Sequence, residues 1–222
     1  SEMLFVWEPE QEKWLTVRNV LAVDGVAVPD SRNRLTVALA ESGPDRLPRL
    51  RRLRDESARF NIGGIFRNFS DPTLVLQFLD EPDQPRFTFT ITGTEKVAGV
   101  NTWKLAFSER TRPTVVQSAT SDLPSNGFVW IDGANGSVVR TSLTLTDPET
   151  NVAAEVTVDY RLNPKLSLWV PMRLVEHYTQ QRFVNRAPPG SPPRQGTMSE
   201  RIEGVATYSN FRRFETSARI VP

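Results

Sequence analysis

Residues 152–162 read VAAEVTVDYRL, and apolar side chains occupy every second position of this stretch. Val156 and Val158 share one side, whereas Glu155 and Asp159 share the other. A period of two is typical of a β-strand that buries one face and exposes the other, as strands of antiparallel sheets do. The stretch therefore predicts a half-buried antiparallel strand.

Turn sequences on both sides of this strand extend the pattern. Asp147-Pro148 and Asn163-Pro164 mark reversals, and the DGANG run at 132–136 closes a hairpin before them. Short connections join antiparallel strands, so residues 127–178 are predicted to form a four-stranded meander. Asp24-Gly25 predicts another hairpin. Further strands are predicted at 4–7, 14–23, 87–92, 95–100, 102–109 and 198–211.

Helical patterns are confined to residues 29–79. Helices are predicted at 30–41 and 46–60, and Asp71-Pro72 is a typical start for a third, short helix. Polar composition at 111–126 and proline-rich composition at 186–196 predict two long loops. No internal repeat or domain boundary is visible.

These patterns predict a mainly β (α+β) fold. We expect a curved antiparallel sheet, or unclosed β-barrel, with a few short helices covering its concave side. A chain of 222 residues, 38% of them hydrophobic, fits one all-β domain spanning residues 1–222. Because the chain opens directly on the strand at 4–7, we expect a leader and early strands to have been removed from it.

The composition excludes several kinds of site. Cysteine is absent and His177 is the single histidine, which rules out thiol catalysis, disulfides and multi-histidine metal sites. With 27 basic and 26 acidic residues, the net charge of +1 gives no field that would attract nucleic acid. No phosphate-binding glycine motif is present. The sequence therefore predicts no catalytic residue, metal or cofactor, and no nucleic-acid partner.

The titratable residues of the meander give only weak support for an enzyme. No serine or carboxylate is tied to His177 by a motif, so we interpret it as a surface histidine. Glu155 and Asp159 would lie about 13 Å apart on one strand. A retaining glycosidase needs carboxyl groups about 5 Å apart. A hydrolase site assembled from distant residues is a third hypothesis, after binding of a hydrophobic ligand and a structural or protein-interaction role.

The predicted helix at 46–60 carries the most uneven charge. Six arginines surround a stripe of leucines, although three carboxylates dilute the charge. One interpretation is peripheral membrane contact through Arg46, Arg49 and Arg52 with anionic lipid headgroups, or contact with an acidic partner. The other is a solvated helix face whose leucines dock on the sheet.

Aromatic residues are concentrated in the predicted strands. Because a wide curved sheet leaves interior space where side chains do not fill it, these residues could line a ligand cavity. An error of one residue in strand register would invert the assignment of faces. The candidate ligand-binding residues are Phe78, Phe87, Phe89, Trp103, Phe128, Trp130 and Leu143.

Several segments in the second half of the chain have sequence patterns similar to those of one protein family. The segments are GFVWID at 127–132, LTLTD at 143–147, VTVDYR at 156–161 and LWVPM at 168–172, with EGVATYSNFRRF at 203–214. They resemble the outer-membrane lipoprotein carrier-like superfamily, which includes the LolA/LolB-like and LppX-like proteins of bacterial envelopes. The resemblance implies an unclosed barrel plugged by helices, with an apolar cavity for acyl chains. No lipoprotein-handling residue is carried over.

The leading hypothesis is a non-enzymatic protein of the periplasm or cell envelope. Its partner would be a hydrophobic small molecule, lipid, acyl chain or lipoprotein, bound on the concave face of the sheet. The absence of cysteine suits an oxidising envelope compartment. The alternative is a structural or protein-interaction module of the envelope with a filled cavity, a protein partner and no ligand.

Overall fold

A computed structural model describes residues 1–8, 13–40, 45–57, 60, 71–118, 121–186 and 194–213. Contacts within the chain divide it into two compact units, Ser1–Gln77 and Phe78–Pro222, each described separately below. The first unit holds β1 (Glu2–Glu8), β2 (Lys13–Asn19), β3 (Ala22–Val23), β4 (Val26–Ala27), α1 (Ser31–Ala40), α2 (Arg46–Ser57) and α3 (Leu74–Gln77). The second holds β5 (Phe87–Val97), β6 (Val100–Glu109), β7 (Asn126–Asp132), β8 (Val138–Asp147), β9 (Val152–Asn163), β10 (Leu168–Arg186) and β11 (Arg194–Thr207).

The first unit is an antiparallel hairpin of β1 and β2 covered by two helices. Alternate residues of the hairpin, such as Leu4, Val6 and Val17, are buried, and α1 and α2 contribute Ala38 and Leu50 to the same core. Glu8 is also buried, and the Arg51 side chain donates to both of its carboxylate oxygens at 3.1 and 2.8 Å. A paired carboxylate therefore closes one end of this small core.

The predicted elements of this unit are largely confirmed. The Asp24-Gly25 hairpin joins β3 to β4, and both turn residues have positive φ (49° and 80°). The short third helix is confirmed but begins at Leu74, so its predicted start at Asp71-Pro72 is two residues too early; the Asp71 carboxylate accepts a hydrogen bond from the Thr73 backbone N–H at 2.7 Å in the turn before the helix. One strand prediction is wrong: residues 14–23 are not continuous, because β2 ends at Asn19, whose side chain donates to the Ser31 carbonyl.

The second unit is built on a seven-stranded antiparallel sheet in the order β11-β10-β9-β8-β7-β6-β5. Every strand pairs with its neighbour in sequence, so the predicted meander is confirmed and extends to all seven strands. The edge strands β5 and β11 do not pair with each other, and the sheet is not closed into a barrel. The predicted mainly β fold with an unclosed antiparallel sheet and a few short helices is therefore confirmed.

Bulges interrupt the register at three places. Thr92, Val139 and Met172 are each the extra residue of their pair of strands. Thr92 donates its hydroxyl to the Lys104 carbonyl, and the next residue, Gly93, has a φ of 154°. The separate strands predicted at 87–92 and 95–100 are therefore one bulged strand, β5. A bulge bends a strand and increases its twist without ending the pairing.

One face of the sheet, which we call the apolar face, carries most of the buried side chains of the unit. The pairs Phe89–Phe107, Leu105–Val129 and Gly127–Leu143 define it across four strands, because directly paired residues share a face. The apolar face continues onto β9, where it includes the alternate apolar residues of the stretch 152–162. Its buried hydrophobic members are Phe87, Phe107, Val129, Leu143, Leu145, Val152, Ala154, Val156, Val158, Tyr160, Leu174 and Tyr178.

The loop predicted at 111–126 is confirmed at 111–118 and 121–125, apart from one isolated bridge between Gln117 and Asp122, whereas Asn126 already belongs to β7. It is tied to the sheet by Glu109, whose carboxylate accepts from the backbone N–H groups of Val115 (2.7 Å) and Ser125 (3.1 Å). The Asp122 carboxylate accepts from the Thr114 N–H at 3.0 Å and from the side chains of Gln117 and Arg112. These hydrogen bonds therefore fix the described residues of the loop to the sheet.

The last strand ends at Thr207, so the prediction of a strand to residue 211 is wrong at its end. Most of the loop predicted at 186–196 lies outside the described residues, although β10 reaches Arg186 and β11 begins at Arg194. A single domain, and helices covering the concave side of the sheet, stay predictions. Across the described ranges, no helix has both the length and the apolarity to cross a bilayer.

Candidate ligand-binding site

The apolar face is buried across β8–β10 but becomes accessible toward β5. Ile91 is 61% exposed and Trp103 is 48% exposed, whereas Leu143 is 2% exposed. Phe89, Leu105 and Ile131 are half-buried, and the pairs Ile91–Leu105 and Trp103–Ile131 place these residues on the same face. We call the five residues Phe89, Ile91, Trp103, Leu105 and Ile131 the apolar margin.

Trp103 lies at the polar end of this margin. It lines an open depression of about 340 Å³ together with polar side chains that include Thr94, Lys96 and Asn101. Gly133 lies close enough to the indole that a Cβ there would be 3.0 Å from Trp103 Nε1. The arrangement joins an apolar surface to a polar rim, as ligand sites for amphipathic molecules do.

Buried polar side chains interrupt the apolar face, and two pairs of them contact each other. The Tyr178 hydroxyl donates to Glu176 at 3.2 Å, and Thr141 Oγ1 and Tyr160 Oη lie 3.2 Å apart. Gly204 is paired with Glu176, and a Cβ at Gly204 would clash with the Glu176 side chain. The missing side chain at Gly204 therefore makes room for a buried carboxylate.

The strand register does not bring the seven predicted ligand-binding residues together. Phe87, Phe89 and Leu143 lie on the apolar face. Phe78 stacks on Phe87 with ring centroids 4.5 Å apart, and both rings are buried. Trp103 lies on the same face at the exposed margin. Of this group, Phe89 and Trp103 are accessible; the others fill the core.

The remaining two predicted residues, Phe128 and Trp130, lie on the opposite face, which we call the polar face. Lys104 Nζ lies 4.6 Å from the ring centroid of Phe128 and 4.9 Å from that of Trp130. Trp130 Nε1 donates to Glu95 at 2.9 Å. This hydrogen bond is the largest of the influences that lower the pKa of Glu95, and Lys104 adds to it. Trp130 is also buried in a small apolar cluster with Val97 and Val139, so this indole is a core residue of the polar face.

Sequence reasoning missed three members of the margin, Ile91, Leu105 and Ile131. The signal for Ile91 was available, because it follows Phe87 and Phe89 in the alternation of β5. Leu105 is two residues after Trp103 and shares its face for the same reason. Their exposure could not be predicted from alternation, because period two separates faces and does not say how well a face is covered.

The candidates for enzymatic chemistry are dispersed. His177 lies on the polar face between Glu155 and Glu203, and its Nδ1 is 3.9 Å from the Glu203 carboxylate. The pKa of Asp80 is raised by burial and then by the neighbouring charge of Asp83. Within the described ranges, no group of three or more histidine and carboxylate side chains is arranged to hold a metal ion.

The arginines of α2 have different surroundings. Arg51 is paired with Glu8 and Arg54 with Asp55, the latter at 2.9 Å on an exposed surface. Arg49 and Arg52 line an open depression of about 410 Å³ that also includes Arg34 from α1. Arg46, which was predicted to contact membranes with Arg49 and Arg52, is not among the residues that line it. Arg59 lies outside the described residues.

Comparison with family models, curated proteins and solved structures finds no match to this chain. The resemblance to the lipoprotein carrier-like superfamily therefore stays a prediction. The functional assignment depends on the geometry of the chain itself.

Proposed function

We propose that this protein binds a hydrophobic ligand, such as a lipid or an acyl chain, at the apolar margin of its seven-stranded sheet. The observation that carries the proposal is the change in exposure along one face: the same apolar surface is buried at β8–β10 and open at Ile91 and Trp103. Exposed apolar residues scattered singly are ordinary on protein surfaces, but a contiguous set often marks a binding site.

The shape of the margin suits an elongated apolar molecule. Ile91 on β5 is paired with Leu105 on β6, and Trp103 on β6 is paired with Ile131 on β7, so the margin extends across three neighbouring strands. Neighbouring strands lie about 4.8 Å apart, so three strands offer a surface about 10 Å wide. Removing this surface from water by contact with an acyl chain would contribute roughly 25 cal/mol of favourable binding free energy per Å² of apolar area.

The rim around Trp103 would orient the polar end of such a ligand. Thr94, Lys96 and Asn101 share the face of Trp103 and line the same depression as the indole. The indole itself is amphipathic, with an N–H group that can donate to a headgroup. Ligand binding of this kind requires no catalysis, and we place it in the periplasm or cell envelope, where the resembled carriers act.

The test is the binding of a fluorescent fatty acid to the purified protein, compared between two tryptophan variants. Trp103→Ala removes the margin indole, whereas Trp14→Ala removes an indole of similar exposure, 46%, in the first unit. We expect saturable binding that weakens at least about tenfold in Trp103→Ala and stays within about twofold in Trp14→Ala, a difference of roughly 1.4 kcal/mol. Native mass spectrometry would identify any lipid that copurifies.

Equal affinities of both variants and the wild type would show that the ligand does not bind at the apolar margin. Absence of saturable binding in the wild type would contradict the proposal itself. Circular dichroism of each variant checks that the fold is retained, and the exposed positions of both tryptophans make loss of folding unexpected.

A second candidate function is a protein-interaction module, which the open edge of the sheet favours. β5 is an edge strand of 11 residues, and eight of them are exposed. An edge strand presents unpaired N–H and C=O groups that can add a strand from a partner. The N–H groups of Phe89 and Ile91 point away from β6, because the Arg110 N–H donates to the Arg86 carbonyl and pairing alternates from there. Addition of a partner strand would slow hydrogen exchange at these two N–H groups, whereas ligand binding to the margin side chains would leave them without a new acceptor, which separates the two functions.

A further inference from the structure

The last strand, β11, is an edge strand that has no partner strand on its outer side among the described residues. It is 14 residues long, contains no proline, and pairs with β10 in one unbroken register. Edge strands are usually short, or are blocked by proline, bulges or charge, because their free N–H and C=O groups can recruit another strand. Of these protective features β11 carries charge, so the arrangement of its charges decides which strand can pair with it.

The outward-pointing backbone groups of β11 belong to its odd-numbered residues. The Tyr208 N–H donates to the Met172 carbonyl at 3.0 Å, and this pair continues the register of β10 and β11. Because hydrogen-bonded and non-hydrogen-bonded pairs alternate along an antiparallel ladder, the even-numbered residues of β11 bond to β10. The residues whose N–H and C=O groups point away from β10 therefore include Ser199, Arg201, Glu203 and Val205.

The side chains of these outward-pointing residues are exposed on the polar face, which Glu203 shares with His177. Glu203 lies 3.9 Å from His177 Nδ1, but its side chain is 61% exposed and open to a second cation. Arg201, two positions earlier on the same face, is also exposed. Val205 is 55% exposed, and Met198 on the apolar face is 50% exposed. The edge thus presents one cation, one carboxylate and two apolar side chains beside its backbone groups.

A second copy of β11 complements this edge when a two-fold axis perpendicular to the sheet passes through Ile202. The axis pairs the copies antiparallel and places Arg201 of each opposite Glu203 of the other. Exposed Met198 is then opposite Ala206, and exposed Val205 is opposite Ser199. Moving the axis to Arg201, or to Glu203, would oppose two like charges directly, which is destabilising. The charges that repel neighbouring registers therefore favour this one.

We infer that this protein forms a symmetric dimer in which β11 pairs antiparallel with β11 of a second copy about Ile202. The two sheets become one continuous sheet, and the outward-pointing residues exchange backbone hydrogen bonds with the second copy. On the polar face the four charges of Arg201 and Glu203 alternate in sign across the axis. Because β11 and β5 are opposite edges of the sheet, the dimer does not depend on ligand binding at the apolar margin.

The test is analytical ultracentrifugation of the wild type and four variants over a range of concentrations. Arg201→Glu and Glu203→Arg each oppose like charges, whereas Arg201→Glu/Glu203→Arg restores unlike pairs. The control Arg161→Glu reverses an exposed charge on the inner strand β9. We expect a wild-type dimer whose Kd rises at least about tenfold in each single variant and stays within about threefold in the double variant and the control.

Mixing the two single variants tests the register without the wild-type protein. Arg201→Glu carries two carboxylates at the paired positions, and Glu203→Arg carries two guanidinium groups, so a mixed dimer opposes unlike charges at both pairs. We expect the equimolar mixture to form dimers at concentrations at which each variant alone is monomeric. Because an unfolded variant could not restore association, this result separates loss of the charge pairs from loss of the fold.

Hydrogen exchange at the N–H groups of Arg201 and Glu203 identifies what occupies the edge. We expect exchange that slows as protein concentration rises. Slow exchange in a protein that is monomeric at every concentration would mean that another segment of the same chain covers β11, which would overturn the inference. A dimer that the single charge reversals do not weaken, or a double variant and a mixture as impaired as the single variants, would overturn it too.

Discussion

The two ends of β6 differ in how they are covered, although their sequences follow the same alternation. At the end near Glu109, Phe107 is 3% exposed, and a loop is tied down over this end by buried hydrogen bonds. At the other end Trp103 is 48% exposed beside an open depression. An apolar residue on a buried face thus serves stability at one end and is available to a ligand at the other. Coverage, not hydrophobicity, separates the two roles.

The largest effect is expected where the apolar face is fully covered. Leu143→Ala should lower the free energy of unfolding by about 2–5 kcal/mol, because it leaves a cavity in a packed region. Ile91→Ala, on the same face but 61% exposed, should change it by less than about 0.5 kcal/mol. Urea denaturation measures both. Comparable losses of unfolding free energy at the two positions would show that Ile91 is as well packed as Leu143, and would contradict the difference in coverage.

Glu109→Ala should open the covered end of β6. The substitution removes the acceptor of two backbone N–H groups, one of them buried at Ser125, so we expect a loss of about 3 kcal/mol of unfolding free energy. Glu109→Gln keeps one amide oxygen as an acceptor and should lose less than Glu109→Ala. Hydrogen exchange should then show faster exchange at residues 114–125 and unchanged exchange near Trp103. A uniform increase across β6 would contradict the localised role given to Glu109.

The pH dependence of stability probes the polar face, which carries no part of the margin. The pKa of Glu95 is lowered in the folded protein, chiefly by the hydrogen bond from Trp130. The stabilisation from Glu95 is therefore complete above the unfolded-state pKa of about 4.3 and is lost as the pH falls through the lower folded value. Asp122, also lowered, chiefly by the hydrogen bond from the Thr114 N–H, acts in the same direction.

Asp80 acts in the opposite direction, because its pKa is raised in the folded protein. Its contribution to stability is complete below the pKa of the unfolded state and is lost as the pH rises through the pKa of the folded state. Comparing Glu95→Gln with the wild type isolates one group. The difference in their midpoints of urea denaturation should be largest near neutral pH and should vanish in acid. A difference that persisted in acid, where the Glu95 carboxyl is protonated in both the folded and the unfolded protein, would mean that Glu95 acts through something other than its charge.

Much of the architecture follows from local patterns in the sequence. The alternation at Val152–Asn163 and the turns at Asp147 and Asn163 predict neighbouring antiparallel strands, because each depends on a few adjacent residues. The bulge at Thr92 could not be predicted, since Gly93 is compatible with a strand end as well as with a bulge. Asn19 ends β2 through a bond to a distant carbonyl, which no local pattern shows.

The candidate sites were less predictable than the fold for a related reason. Phe128 and Trp130 are as hydrophobic as Phe87 and Phe89, yet the register of β6 and β7 places them on the opposite face. Arg34 belongs to another helix than Arg49 and Arg52, so their convergence is a tertiary contact. Binding sites depend on which faces meet and which stay open, and alternation within one strand determines neither.

The most direct measurement compares two aspartate substitutions at adjacent residues of β5. Ile91→Asp places a charge on the apolar margin, whereas Thr90→Asp places the same charge on the other face of the same exposed edge strand. Affinity for a fluorescent fatty acid should fall at least about tenfold in Ile91→Asp, because the carboxylate would be desolvated against the chain, and should stay near the wild-type value in Thr90→Asp. Equal affinities of the two variants would contradict ligand binding at the apolar margin.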